Sequence, residues 1–366
     1  MKVRLGNYIK EYSVRNKKDE DIPVYSVTNT QGFCQDYFGK EVASKDKTTY
    51  KIVPRGCFAF NPSRINVGSV DWQKNEERVI VSPLYNVFSV SEQLDQQYLY
   101  YYLKSDFAIQ KIRAVATGSV RDNLKLAMLY EFPIEIPVIA EQRKIVDRLD
   151  RVKWLIELRE KELQSLDELI KARFVELFGN PITNDKGWNV AELNSVCDGI
   201  GDGLHGTPEY DDSGEYPFIN GNNLMNGTIE ITPATKMVNE DTYKKHYIEL
   251  TKNAILLSIN GTLGKMAFYN GEEVMLGKSA CYCNLKPEIN RDFVYGVMKT
   301  DAFAGYLERN ATTSTIKNVG LKAIRGFKLI LPPKNLQNQF VEFSKQIDKS
   351  KSHKKTNYKT NNKLAS

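Results

Sequence analysis

Two short motifs in the chain contain residue types that could carry enzyme chemistry. Gly201-Asp-Gly-Leu-His-Gly206 has the glycine spacing of a dinucleotide-binding loop, but Pro208 follows where such a loop must lead into a helix. Asn61-Pro-Ser-Arg64 begins like the Asn-Pro-Pro-aromatic tetrad with which adenine methyltransferases hold a flipped base, and it lacks the second proline and the aromatic ring. The sequence has no Walker lysine motif for ATP hydrolysis. We therefore predict that the chain is not itself a catalyst.

Cysteine and histidine usage argues against a metal site. The five cysteines form no Cys-x-x-Cys pair, and only three histidines are present. An odd number of unpaired cysteines is typical of a reducing compartment. The sequence also contains no apolar run long enough to span a membrane. These features predict a cytoplasmic protein that binds no metal or other cofactor and does not associate with membranes.

The elements that must position any binding residues are organised around one long helix. Residues 141–178 contain no Pro or Gly, and Gly179 and Pro181 then end the segment. Large apolar residues recur along it with the heptad spacing of a coiled coil. The predicted seam consists of Ile145, Leu149, Val152, Ile156, Leu163, Leu166, Ile170 and Leu177. A helix with such a seam requires a partner helix.

The segments on either side of this helix resemble each other. Each mixes strand-like and helical patterns, and residues of the first recur in the second at a constant spacing of 195 residues. The matching pairs include Lys104 with Lys299, Thr117 with Thr312, Ser119 with Ser314, Asn123 with Asn318, Phe132 with Phe327 and Gln142 with Gln337. A long internal repeat indicates tandem copies of one folded unit. Because the repeat extends into the first helix, it predicts a second helix after Pro333.

Two divergent modules, each followed by a strand, a proline and a glutamine-bearing helix, resemble the specificity subunit of type I restriction-modification systems. Ile136-Pro-Val-Ile-Ala-Glu-Gln-Arg-Lys-Ile-Val146 and Phe178-Gly-Asn-Pro181 are the most specific parts of the resemblance. It implies two target recognition domains, each reading one half of a split, asymmetric DNA site. It further implies that two antiparallel helices set the distance between the half-sites and dock the modification subunits.

The resemblance turns the polar, glycine-bearing loops into candidate contacts with base edges and phosphates. The first domain offers Arg64, Ser119, Arg121 and Asn123. The second offers His205, Thr207, Asn220, Asn222, Asn260, Thr262, Lys265, Ser314, Thr315, Lys317 and Asn318. Two of these have ordinary alternatives, since Ser119 also suits a helix N-cap and Arg64 also suits a solvated loop. His205 fits a hydrogen-bonding loop residue better than a metal ligand.

The C-terminus departs from the family pattern. An apolar stripe marks the start of the second helix, but the segment after Asp348 is rich in Lys and Asn and nearly devoid of apolar residues. Residues 334–366 carry eight Lys against Glu342 and Asp348, which equals the net charge of +6 of the whole chain. Overall charge therefore does not establish DNA binding. A shortened helix would leave part of the seam uncovered and favour self-association.

These observations predict a mixed α/β (α+β) protein with two tandem target recognition domains, a long coiled-coil helix between them and a shortened C-terminal helix. The predicted bounds are 1–138 for the first domain, 139–180 for the spacer helix, 181–333 for the second domain, 334–349 for the shortened helix and 350–366 for a disordered Lys-rich tail.

The expected function is to give a type I complex its DNA sequence specificity. The expected partners are double-stranded DNA, modification (methyltransferase) subunits and restriction (translocase and nuclease) subunits, with S-adenosylmethionine, ATP and Mg²⁺ bound by the partner subunits. The alternative is an orphan or truncated coiled-coil interaction protein with no active complex. A stand-alone methyltransferase is disfavoured by the missing tetrad.

Overall fold

The chain forms two compact units, Met1–Arg159 and Glu160–Ser366. A computed structural model describes residues 2–35, 46–116 and 123–365, with side chains as far as Lys351. Two predicted site residues, Ser119 and Arg121, lie outside the described residues.

The first unit contains ten strands and three complete α-helices within its described part, followed by the start of a long fourth α-helix. Four strands form an antiparallel sheet in the order β2-β9-β6-β7, and the remaining strands pair as β1 with β10, β3 with β4 and β5 with β8. The elements are β1 (Lys2–Arg4), β2 (Ile9–Glu11), β3 (Ser26–Thr28), β4 (Gly32–Cys34), β5 (Lys51–Pro54), β6 (Phe58–Phe60), β7 (Val70–Trp72), β8 (Arg78–Val81), β9 (Asn86–Val90), α1 (Gln96–Lys104), α2 (Asp106–Val115), α3 (Leu126–Tyr130), β10 (Pro133–Glu135) and α4 (Ile139–Phe178).

The second unit repeats this plan with additional short strands. Its four-stranded antiparallel sheet has the order β12-β20-β17-β18, and β11 pairs with β21. The elements are β11 (Asn189–Glu192), β12 (Cys197–Asp202), β13 (Tyr216–Ile219), β14 (Leu224–Met225), β15 (Thr228–Ile229), β16 (Met237–Val238), α5 (Glu240–Lys245), β17 (Ala254–Ser258), β18 (Met266–Phe268), β19 (Met275–Leu276), β20 (Ala280–Leu285), α6 (Arg291–Met298), α7 (Asp301–Asn310), α8 (Leu321–Arg325), β21 (Lys328–Leu331) and α9 (Lys334–Ala365).

The helices that follow each sheet keep the spacing of the sequence repeat. Equivalent helices begin 195 residues apart: α2 and α7 at Asp106 and Asp301, α3 and α8 at Leu126 and Leu321, and α4 and α9 at Ile139 and Lys334. In each unit, strands of the sheet and the helices that follow it share one apolar core. Phe58 of β6 and Leu99 of α1 belong to it in the first unit, and Leu257 of β17 and Phe303 of α7 in the second. The fold class expected from the sequence, with tandem units around a long helix, is confirmed.

A buried glutamine fixes the start of the long helix in each unit. The Gln142 side chain, fully buried in α4, donates from Nε2 to the carbonyls of Gln93 at 2.8 Å and Pro137 at 2.7 Å. Its Oε1 accepts from the Asp95 amide at 2.8 Å. Gln337 takes the same place in α9, where Nε2 donates to the Pro332 carbonyl at 2.7 Å. A buried amide with satisfied hydrogen bonds ties the helix start to its unit.

The end of α4 and the first turns of α9 pack together inside the second unit. Phe340 of α9 meets Phe174 and Phe178 of α4 with ring centroids 5.4 and 5.7 Å apart, and Phe293 of α6 completes the cluster. Farther along α9, the Lys351 ammonium lies 2.6 Å from an Asp167 carboxylate oxygen. Residues later in α9 therefore contact residues earlier in α4, which shows that the two helices run antiparallel within this unit.

The C-terminal helix is shorter than the first, as expected, but the predicted end of that helix is wrong. α9 has 32 residues against 40 for α4, and its backbone stays helical to Ala365 where the sequence analysis placed a disordered tail over residues 350–366. No Pro or Gly interrupts residues 334–366, and an established helix extends at low cost through such a segment. Lys351, which also lies 3.1 Å from Asp348, anchors the chain just beyond the predicted end.

The predicted seam is covered unevenly. Ile170 and Leu177 pack against the core of the second unit, whereas Leu149 and Val152 are 39% and 49% exposed. Ile145, Ile156, Leu163 and Leu166 are half-buried. Near the end of α4 the tightest packing comes from Phe174 and Phe178, one position beyond the heptad seam. At this end of α4 the phenylalanines contribute more to packing than the heptad positions, because their aromatic rings enter the core of the second unit and bury more apolar surface.

Among the described residues, no helix combines the length and apolar character needed to cross a membrane.

Phe174 and Val175 are consecutive residues of α4 that provide a matched test of this packing. Phe174 is 2% exposed and Val175 is 54% exposed. We expect Phe174→Ala to lower the free energy of unfolding of the second unit by about 3–5 kcal/mol, the usual cost of truncating a buried phenylalanine. Val175→Ala should change it by less than about 0.5 kcal/mol. Urea denaturation followed by circular dichroism measures both, and equal losses for the two variants would contradict the aromatic cluster.

Candidate nucleic-acid interface

In the second unit, the loop after β17 is joined to the polar segment that precedes α8. Backbone hydrogen bonds run from the Gly261 amide to the Lys317 carbonyl at 2.9 Å and from the Val319 amide to the Ile259 carbonyl at 2.9 Å. Between them, Asn260 Nδ2 donates to Asn318 Oδ1 at 3.3 Å. Gly261 has a positive φ of 75°, a conformation that favours glycine in this turn. Two of the predicted loops are thus joined into one surface.

Ser279 connects this surface to a third loop. Its hydroxyl donates to Asn220 Oδ1 at 2.8 Å and accepts from the Gly221 amide at 3.0 Å. The Ser279 carbonyl accepts from the Ile259 amide at 3.1 Å. A Cβ on Gly221 would lie 2.2 Å from Ser258 Oγ, so only glycine permits this close approach.

A fourth loop, which carries His205 and Thr207, joins at the neighbouring turn. The Lys278 amide donates to the Leu204 carbonyl at 3.0 Å. His205 Nε2 lies 2.8 Å from Asp202 Oδ2, which confirms His205 as a hydrogen-bonding loop residue. No group of three or more His, Cys, Asp or Glu side chains with metal-binding geometry occurs in the part of the chain that the structure describes.

The first unit repeats the junction between the loop after the central strand and the segment before the short helix. The Leu124 amide donates to the Pro62 carbonyl at 3.2 Å. Ser63 Oγ donates to Asn123 Oδ1 at 2.7 Å. The next residue, Arg64, is exposed, and no ion pair to it is found among the described residues. The loop that carries Arg64 is therefore joined to Asn123 through Ser63.

The predicted contacts fall into two groups by what their side chains do. Asn123, His205, Asn220, Asn260, Ser314, Lys317 and Asn318 have side-chain partners within the chain. Arg64, Thr207, Asn222, Thr262 and Thr315 are exposed, and Lys265 is half-buried. The Lys317 ammonium lies 2.5 Å from Glu308 Oε2, but both side chains are about half exposed. Such an exposed surface pair contributes little stability.

Sequence reasoning missed two residues of this surface. Lys278 is exposed at the turn that joins the loops of His205 and Asn220. Ile316 is 64% exposed in the middle of the polar segment before α8, where an apolar side chain can contact a thymine methyl group. The turn Gly277-Lys278-Ser279 between two strands was the available signal for Lys278. Nothing in the local pattern marked Ile316, because an isolated apolar residue usually indicates burial.

Four of the five cysteines lack the surroundings of a reactive nucleophile. Cys57, Cys197, Cys281 and Cys283 are buried. Burial raises the pKa of the Cys57 thiol above its ordinary value. A hydrogen bond with Cys283, together with burial, raises the pKa of the Cys197 thiol. A raised pKa keeps a thiol protonated at neutral pH, whereas the thiolate is the nucleophile.

A groove of about 640 Å³ in the second unit is lined mainly by helices. It is lined by the end of α4, by α6 and by the start of α9, including Phe174, Tyr295 and Phe340. It contains none of the predicted DNA-contacting residues. Its walls are the aromatic packing described above, and the candidate interface consists of the loops.

Comparison with known proteins identifies relatives of both units. The family model for the type I restriction modification DNA specificity domain matches residues 2–168 and 185–362. The StySPI specificity subunit of a Salmonella potsdam type I restriction enzyme is 21% identical over 94% of this chain and 79% of its own length. The MjaIX specificity subunit of Methanocaldococcus jannaschii is 25% identical over 60% of this chain and 54% of its own.

Solved structures show the same fold. A chain from a study of the assembly and conformational transition of a type I restriction-modification system matches with a TM-score of 0.58 at 20% identity, covering all of this chain and 94% of that one. The S subunit from M. genitalium matches with a TM-score of 0.50 at 15% identity, covering 98% of this chain and 92% of that one.

Ser279 provides a test of the loop connections. Ser279→Ala removes the acceptor of the Gly221 amide and the donor to Asn220, each bond contributing roughly 0.5–1.5 kcal/mol. We expect faster amide hydrogen exchange across residues 220–223 while the sheet strands stay protected. Ser195→Ala is the control, because the Ser195 hydroxyl donates only to the nearby Glu192 carbonyl. Unchanged exchange at Gly221 in the Ser279 variant would refute the connection.

Proposed function

Because the chain belongs to the family of type I restriction-modification specificity subunits, we propose that its two units each read one half of a bipartite DNA site. The chain is the DNA-recognition subunit of a type I complex, and the catalytic steps belong to partner subunits. The two halves of the site differ in sequence, because the two units present different side chains at equivalent places.

One observation carries this proposal. Both units hold a loop after the central strand against the segment before a short helix, and the side chains on this shared frame differ. The first unit presents Arg64 on its loop, and the second presents Thr262 and, at the adjoining turn, Lys278. Arginine suits the O6 and N7 acceptors of guanine, whereas threonine suits several base edges. The same arrangement of loops with different exposed side chains would allow the two units to recognise different sequences in the two halves of one DNA site.

Basic side chains at the same surfaces supply affinity without sequence preference. Arg64 is exposed in the first unit. In the second unit Lys278 is exposed and Lys265 is half-buried. Lys and Arg contacts to phosphates release counterions and make binding depend on salt concentration. They also fix the orientation of a protein on the duplex, so that neighbouring side chains meet the base edges.

We place the contacts with the modification and restriction subunits on the helical part of the chain. Support comes from an exposed apolar stretch of α4, in which Val152, Trp154, Leu155 and Leu158 are 45–60% exposed. Contiguous apolar surface of this kind marks protein–protein contacts. S-adenosylmethionine, ATP and Mg²⁺ belong, on this proposal, to those partner subunits, and the complex acts on DNA in the cytoplasm.

The alternative, an orphan interaction protein that self-associates through α4, draws on the same exposed stretch. The family match over both units favours the specificity role. An interaction protein that works only through α4 would not require a polar surface of joined loops in each unit. The two proposed functions predict different results in a DNA-binding selection. A specificity subunit enriches defined sequences, and an orphan enriches none.

Selection from random-sequence DNA by the complex with its modification subunits tests the proposal. We expect two short sequence elements separated by a fixed gap of unread bases. Replacing residues 181–333 with the second recognition domain of another specificity subunit should change one element and leave the other intact. Enrichment of no sequence would overturn the proposal, and a simultaneous change of both elements would overturn the assignment of one unit to one half-site.

Substitution of two loop arginines of the first unit distinguishes a direct contact with DNA from a role in loop structure. Arg64→Ala should weaken DNA binding by about 1–3 kcal/mol and either relax one position of the first half-site or reduce the salt slope by about one unit. Arg55→Ala is the matched control, since the Arg55 guanidinium donates to the carbonyls of Asn75 at 2.7 Å and Glu76 at 3.4 Å. Titrations at several salt concentrations measure both, and equal effects would exclude a specific role for Arg64.

A further inference from the structure

In both units the loop after the central strand is joined to the polar segment before the short helix by a hydrogen bond to an asparagine. In each, an asparagine that ends the polar segment accepts a hydrogen bond from the loop after the central strand. Ser63 Oγ donates to Asn123 Oδ1 at 2.7 Å, and Asn260 Nδ2 donates to Asn318 Oδ1 at 3.3 Å. The two asparagines occupy equivalent places, 195 residues apart in the repeat.

We propose that Asn123 and Asn318 are positioning residues that hold the two reading loops of each unit together, and that they do not read bases themselves. The inference rests on the proposed DNA-reading function. It assigns these asparagines a role different from that of their exposed neighbours, although all belong to the same polar surface.

The hydrogen bonds of Asn318 support a positioning role. An asparagine that recognises adenine uses its amide oxygen and nitrogen together, against N6 and N7 of the base. The Asn318 oxygen already accepts from Asn260, and Asn318 is half-buried. Its main chain is also fixed, because the Asn318 amide donates to Thr312 Oγ1 at 3.1 Å and its carbonyl accepts from the Thr312 amide at 2.9 Å.

The neighbours of Asn318 are held in place by the same bonds and face solvent. Ile316 is 64% exposed, and Thr315 is exposed beside it. Ser314 Oγ donates to the Ile316 carbonyl at 2.7 Å, which closes the turn that presents both side chains. A turn that is already rigid loses little conformational entropy on binding DNA. Contacts from the side chains at its tip therefore contribute more of their free energy to discrimination between bases.

The sequence repeat fits a constant frame that carries different reading side chains. Asn123 and Asn318 are the same residue type, whereas the residues two positions earlier are Arg121 and Ile316. The positions before those are Val120 and Thr315. A positioning contact must be the same in both units to preserve the frame, and reading positions must differ if the half-sites differ.

Substitution of Asn318 by Asp or Leu separates positioning from reading. Aspartate keeps an oxygen that accepts from Asn260, whereas leucine has a similar size and no acceptor. We expect Asn318→Asp to preserve the base preferences of the second half-site in selection experiments with the full complex. Asn318→Leu should reduce discrimination at that half-site by about fivefold to tenfold, the effect of one lost hydrogen bond. The first half-site should be unchanged in both variants.

A direct reading role predicts the opposite pattern. Aspartate cannot donate to adenine N7, so Asn318→Asp would then remove an adenine preference. That outcome, or a motif unchanged by Asn318→Leu, would overturn the positioning role. Absence of any bipartite motif with the wild-type chain would instead overturn the proposed function.

The partner residue provides a second route that does not depend on Asn318 variants folding. Asn260→Ala removes the donor, and it should reduce discrimination at the second half-site to the same extent as Asn318→Leu. Combining the two substitutions should add no further loss, since both remove one contact. Independent, multiplicative losses would overturn the inference. In the first unit, Asn123→Asp and Asn123→Leu should reproduce the contrast at the other half-site.

Discussion

The buried glutamine at the start of each long helix is the contact on which the rest of the architecture depends. A buried primary amide must satisfy its donors and its acceptor within the protein. Gln142 does so with three hydrogen bonds to the main chain of Gln93, Asp95 and Pro137. Losing those bonds would leave a buried polar group unsatisfied, at a cost of about 1–3 kcal/mol. The helix therefore leaves its unit from one fixed place, and Gln337 applies the same constraint to α9.

The two units differ in how they use the surface next to that glutamine. In the second unit Gly296 leaves room for Phe340, since a Cβ there would lie 2.5 Å from the Phe340 ring, and the cluster with Phe174 follows. At the equivalent position of the first unit, 195 residues earlier, Tyr101 carries a large side chain and donates to the Asp150 carboxylate. Burial raises the pKa of Tyr101 to about 12, so the hydroxyl remains a donor. The end of α4 is thus needed by the second unit in particular.

The reading surfaces follow a different physical principle from the helices. Backbone hydrogen bonds join loops that lie far apart in sequence, as when the Gly261 amide reaches the Lys317 carbonyl. Because main-chain groups make many of these connections, the exposed side chains that make no contact between loops can change while the loop arrangement is kept. Specificity can then vary between units while the fold stays the same. Lys317 and Glu308 form an exposed ion pair at this surface, and such a pair contributes little to stability.

The sequence alone determined the tandem organisation, the long helix and the family resemblance, because each depends on periodicity or on recurrence at constant spacing. The helix without Pro or Gly and the 195-residue repeat are local or one-dimensional signals, and the structure contains both. Sequence reasoning also selected the loops of the interface, since their polar, glycine-bearing composition is local.

Only the tertiary structure decided the role of individual residues. It paired Asn260 with Asn318 across 58 residues and exposed Ile316 and Lys278. It also moved the packing of the helix end from the heptad seam to Phe174 and continued α9 to Ala365. Each of these outcomes depends on contacts between segments distant in sequence, or on which of several possible partners is available in space. Composition and spacing do not contain that information, because a side chain's partner is set by where the folded backbone places it.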